Sequence, residues 1–171
     1  QNRMSFQGEN FIRRYGKKAA NQAPPIHKIL EMEIPVGLGT DATRVSSFNP
    51  WLAIHWLVSG KTVGNTEILQ KENRLDRTLA LELMTKGGYD LIKQSNEKGM
   101  LKPGYFADLI ILDQDYFSIP EDDIKKLKAN LTIVDGKIVY ADDQFKAFSK
   151  EKLEVIPTWS PVKYYGGYQE N

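Results

Sequence analysis

Apolar positions along this chain change period several times, and the changes mark its elements. Phe11, Ile12 and Tyr15 share a helical face with Gly16 as a stop, which predicts a helix over 9–15. Pro24-Pro25 opens a second helix with Ile26, Ile29 and Leu30 on one side, since proline is tolerated in a first turn. Ile34 to Leu38 is a short apolar run closed by Gly39, the pattern of a buried strand. Asn49-Pro50 then starts a helix as N-cap and N1 residues. Trp51, Ile54, His55 and Val58 form one face of it and Leu52, Trp56 and Leu57 the other, so it is predicted to be buried on both sides.

Residues 60–74 read as a polar loop turning at Gly64-Asn65, long enough to be expected as a lid or binding loop. Asp76 caps a further helix whose stripe is Leu79, Ala80, Leu83 and Met84, interrupted near Gly87-Gly88. From Gly99 and Pro103-Gly104 onward the period shortens. Ala107 to Leu112 is a predicted strand, and Pro120 to Leu127 a short helix. Leu131 to Val134 and Lys137 to Tyr140 flank Asp135-Gly136, a strong hairpin signal because a type I′ turn needs positive φ at both central residues. A helix running straight into a buried strand is the grammar of an α/β fold with a parallel sheet. Neither internal repeats nor a linker between independent domains is evident. The tail from Pro157, rich in tyrosine, glycine and proline, is expected to lie extended on a surface.

Composition narrows the function more than the fold. Apolar residues at 41% and charged residues at 26% are those of a folded, water-soluble chain. No apolar run approaches the ~18 residues of a membrane span. The net charge is +1, without a basic stripe, so neither nucleic acid nor membrane is an expected partner. Cysteine is absent, which excludes disulfides, thiolate metal ligands and a cysteine nucleophile. The start carries no leader pattern, and the expected location is cytoplasmic.

The candidate chemistry lies in 34–49. Asp41 follows the predicted strand, where α/β proteins place catalytic groups, although Thr40-Asp41-Ala42-Thr43 could equally be an Asx-turn. Arg44 on the following loop could fork onto a substrate carboxylate or pair with an acidic neighbour. His55 sits on an apolar stripe, so it is either a packed histidine or a substrate contact; His27, near a helix start, is expected to be exposed. These are the only histidines. They stand on separate elements, without a second ligand at spacing, so they do not read as an independent zinc site. Arg13, Arg14, Lys17 and Lys18 form a basic cluster that suits a solvated helix end. There is no phosphate loop, G-x-S-x-G elbow or dinucleotide fingerprint.

Three stretches, in this order and spacing, resemble the C-terminal part of the metal-dependent amidohydrolase superfamily, in its amidohydrolase-3 group. They are Val36 to Ala42, containing Gly39-Thr40-Asp41, then Gly99 to Asp113, then Leu131 to Tyr140. Asn49-Pro50-Trp51 and the opening Asn2 to Glu9 look similar too, and the resemblance runs to about residue 143. It implies a distorted (β/α)8 TIM-like barrel joined to a composite β-sandwich built from both chain ends. Residues 1–98 would be the C-terminal part of the barrel, with strand 34–39 its eighth. Residues 99–143 would be sandwich strands and 144–171 a tail. Asp41 would be the catalytic aspartate that contacts a divalent metal, expected to be zinc, and shuttles a proton.

The substrate class implied is a small molecule with a non-peptide C–N bond, such as an amide or N-formyl group. The family's H-x-H pair, bridging ligand and later histidines have no counterpart here. The chain is therefore expected to be a C-terminal fragment or truncated frame, incomplete as a stand-alone fold, inactive alone and without tightly bound metal. Uncovered strand edges would favour a homo-oligomer. The rival expectation is a non-catalytic, self-associating remnant in which Asp41 is idle.

Overall fold

The structure is a computed structural model and describes residues 2–42 and 46–149. Its centre is the helix α4 (Pro50–Ser59), in which every residue from Trp51 to Ser59 is buried. Local chemistry starts and stops it. The Asn49 side chain accepts a hydrogen bond from the Trp51 amide, and Pro50 begins the first turn with φ already helical. Gly60 ends it at φ +72°, a left-handed cap that costs glycine little.

Because α4 is apolar all round, other elements must cover it. The 3₁₀ turn Glu121–Lys126 packs on one side and α5 (Arg77–Met84) on another. Ile54, Trp56, Leu57, Ile68, Leu69 and Ile124 form the centre of the resulting core. The N-terminal helices α1 (Arg3–Tyr15), α2 (Lys17–Asn21) and α3 (Ile26–Glu31) add Met4, Phe11, Ile12, Ala20 and Ile26 to it. Asp76 caps α5 through the Leu79 amide, and α6 (Lys86–Leu91) follows after a break at Thr85.

The strands form one antiparallel sheet in the order β1 (Leu109–Leu112), β2 (Ala129–Val134), β3 (Lys137–Ala141). Leu109 lies opposite Ile133 and Thr132 opposite Tyr140. The β2–β3 turn has Asp135 at φ +50° and Gly136 at φ +70°, the primed turn expected from the sequence. The sheet is not covered on both faces. Ile110 is 47% exposed, and Ile111, Val134 and Val139 are exposed with it. Beside it runs an apolar groove of about 1010 Å³ lined by residues of β1, β2, α5 and the 99–101 turn, among them Trp51, Met84, Leu101 and Ile133.

Several sequence expectations are corrected. Residues 34–40 make no strand ladder; they run as an extended segment, and Ile34 is 46% exposed. A strand exists only through a neighbour's hydrogen bonds, and the three strands described pair among themselves. Thus the parallel sheet expected from the sequence is not present among the described residues. What is observed is a mixed α and β arrangement with an antiparallel sheet.

The first helix begins at Arg3 rather than near residue 9, because Gly8 and Ser5 are buried against the core despite their weak apolar signal. A Cβ at Gly8 would stand 2.2 Å from Ile68 Cδ1. The 60–74 loop is not an open lid. Lys61 bridges Glu67, Thr62 is fully buried, and Ile68 and Leu69 insert into the core. The tail from Pro157 lies outside the described residues.

Replacing Asn49 by Ala removes the cap and the 3.3 Å bond from Asn49 Nδ2 to the Lys125 carbonyl. The expected loss is ~1–2 kcal/mol of unfolding free energy, with the urea m-value unchanged.

Candidate functional site

The stretch that carries Asp41 is held by backbone contact. A Cβ on Gly37 would meet the Gly87 carbonyl and Gly88 Cα at 3.0 Å, and one on Gly87 would stand 2.5 Å from the Val36 carbonyl. Only paired glycines allow this approach. One residue on, the Leu38 amide donates to the Leu83 carbonyl at 2.9 Å, which ties the segment to the end of α5. The chain then emerges at Gly39, and Asp41 stands exposed at φ +54°. Aspartate is among the few residues that visit this left-handed region without a β-branch clash.

The peptide before Asp41 is fixed by two donors. Asn2 Nδ2 donates to the Thr40 carbonyl at 3.1 Å, and Ser46 Oγ donates to the same oxygen. The Ala42 amide lies 3.4 Å from Thr40 Oγ1, a weak threonine turn in place of the Asx-turn that the sequence offered. From the sequence Ser46 is one hydroxyl on the loop that follows Asp41, and Asn2 belongs to the opening that carries the resemblance; the contact of either with Thr40 is not legible there.

The histidines are engaged elsewhere. His55 is 1% exposed within α4, with Nε2 3.5 Å from Asp122 Oδ1, at the outer limit of a hydrogen bond. Lys61 Nζ donates to both Asp122 oxygens at 2.8 Å. That bond holds the Asp122 carboxyl below its usual range. Burial pushes the His55 imidazole below its ordinary value of 6.5, and this outweighs the opposing contact with Asp122. Of the two readings of His55, the packed one matches this placement. His27 is half-buried rather than exposed, and its Nε2 lies 3.0 Å from the Arg74 carbonyl. A carbonyl only accepts, so Nε2 carries the proton. Arg44 lies outside the described residues.

The chemistry of this donor set does not fit a complete metal centre. Among the described residues no group of three or more histidine, cysteine or carboxylate side chains could hold an ion. Asp41 offers one carboxylate. No helix among the described residues is long and apolar enough to cross a membrane.

Comparison with known proteins decides the lineage. A family model described as "Amidohydrolase family" matches residues 1–140. The chain belongs to the amidohydrolase family. Curated relatives agree. A 5-methylthioadenosine/S-adenosylhomocysteine deaminase of Syntrophomonas wolfei is 29% identical over 150 residues, covering 80% of this chain and 33% of the relative. An enzyme of that name from Symbiobacterium thermophilum is 32% identical over 139 residues, covering 73% of this chain and 30% of the relative. A 5'-deoxyadenosine deaminase of Methanosarcina barkeri is 29% identical over 150 residues, covering 80% and 32%. The chain therefore spans about a third of the length of these relatives. No solved structure matches.

Two outcomes test this geometry. Gly87→Ala places a methyl against the Val36 carbonyl and is expected to cost ~1–3 kcal/mol in denaturant unfolding. His55 gives a pH signature. The unfolded chain binds its proton near 6.5, while the folded chain resists until lower pH. Stability conferred by neutral His55 is therefore complete above 6.5 and is lost as pH falls through the lower folded value. In His55→Gln this step in the pH dependence of unfolding free energy is expected to disappear.

Proposed function

We propose that the chain supplies part of the active site of a hydrolase that cleaves a non-peptide C–N bond, with Asp41 as the proton-carrying carboxylate. The observation that carries the reading is the presentation of Asp41: an exposed carboxylate on a left-handed residue, behind a segment docked by glycines and held by Leu38. Such a carboxylate accepts a proton from the attacking water as its oxygen bonds to carbon. It returns that proton to the nitrogen as the C–N bond breaks, so the carboxylate is regenerated and the amine or ammonia leaves. The relatives are named as deaminases, which supports a C–N bond. Their names make an adenosine derivative a candidate substrate beside the amides and N-formyl compounds that the family resemblance implies.

The metal expected from that resemblance, with zinc the foremost ion, needs ligands beyond the described residues. Both of its histidines are committed to packing contacts, and Asp41 contributes one oxygen donor group. Purified alone, the chain is expected to carry substoichiometric zinc by elemental analysis and to show no hydrolysis. Fused behind the N-terminal two thirds of the Syntrophomonas wolfei relative, it is expected to restore deamination. There Asp41→Asn should lower kcat ~10²–10⁴-fold. Unchanged turnover in that variant would remove Asp41 from the mechanism.

One observation favours a second reading, self-association with Asp41 idle. Ile110, Ile111 and Val139 leave the sheet uncovered, and β1 and β3 are its edges. An apolar edge of this kind invites another strand. Sedimentation of the isolated chain is expected to show dimers or larger species, and a clean monomer at high concentration would count against this coverage.

A further inference from the structure

Asn2 occupies the N-cap position of α1 yet does not cap it. Its backbone is helical, at φ −63° and ψ −25°, and its side chain makes no cap hydrogen bond. An asparagine there ordinarily accepts from a first-turn amide. Here the residue is 0% exposed. Nδ2 donates across 38 residues to the Thr40 carbonyl. Ser5 Oγ donates to the Asn2 backbone carbonyl at 2.7 Å and lies 3.2 Å from Oδ1, so the amide end that faces Thr40 is the donor Nδ2.

The Thr40 carbonyl lies in the same rigid peptide plane as the Asp41 amide. Turning that plane changes the φ of Asp41. With Ser46 Oγ on the same oxygen, Asn2 holds the plane in the orientation that sets Asp41 at φ +54°. We propose that Asn2 is a positioning residue for Asp41, its buried amide setting the backbone from which the carboxylate is presented. The inference rests on the role given to Asp41 above, but its geometric part is testable without turnover.

The test is NMR of the labelled 171-residue chain, reading the Thr40 carbonyl ¹³C shift and the amide–Hα coupling of Asp41. Asn2→Asp keeps the shape of the side chain but replaces the donor with an oxygen that repels the Thr40 carbonyl; Asn2→Ala removes the group. Both are expected to shift the Thr40 signal and move the Asp41 coupling away from its left-handed value. Asp76→Ala, which removes the cap of α5 instead, is expected to leave both in place and so separates positioning from general loss of stability.

Should the Asn2 variants fail to fold, Ser5→Ala serves. It leaves the bond to Thr40 but removes the hydroxyl that holds the Asn2 carbonyl and stands beside Oδ1, and it is expected to move the same two signals by a smaller amount. Folded variants whose Asp41 and Thr40 signals superimpose on those of the unsubstituted chain would overturn the proposal.

Turnover in the fused enzyme then divides the two claims. Asn2→Asp is expected to lower kcat up to ~100-fold with KM nearly unchanged. If the NMR signals move while kcat stays the same, the positioning stands and the proton-carrying role of Asp41 falls.

Discussion

Burial of α4 on all sides is the constraint on which the rest of the structure depends. A helix with Trp51, Ile54, Trp56, Leu57 and Val58 around its circumference has no solvent face to spare. It needs the 3₁₀ turn at Glu121–Lys126, α5, and the inward-turned Ile68 and Leu69 of the following loop. Its N-terminus then becomes a fixed point. Asn49 both caps it and reaches the Lys125 carbonyl, so the loop descending from Asp41 ends on an immobile anchor.

The other anchor lies upstream. Gly37 and Gly87 meet backbone to backbone, and Leu38 bonds Leu83. Between these anchors Asp41 is displayed on the surface with its peptide plane held by Asn2 and Ser46. The arrangement gives one exposed carboxylate on a left-handed residue, and the chemistry proposed for it uses no other described group. The groove beside the open sheet face is mostly apolar, with Asp108, Asp113 and Asp115 among the residues that line it.

What could be read from the sequence was what is decided locally. The caps at Asn49 and Asp76 and the Asp135-Gly136 turn each depend on a few adjacent residues, and each is present. The family was legible as well, through motifs spread over most of the chain. What failed depends on remote partners. The apolar run from Ile34 has strand composition but no neighbour to make a ladder. The first half of α1 has no clear apolar period, because its fully buried positions are Gly8 and Ser5, which fit closely against the core. The 60–74 loop looked hydrophilic because two inward residues, Ile68 and Leu69, are outnumbered. Asn2 was invisible because its partner is 38 residues away.

The central claim is that Asp41 carries the proton, and the pH dependence of kcat/KM in the fused enzyme tests it most directly. An acid limb governed by a single carboxyl group should appear in the unsubstituted enzyme. Asp41→Asn is expected to abolish that limb along with most of the rate. A residual activity that kept the same acid limb in Asp41→Asn would contradict it.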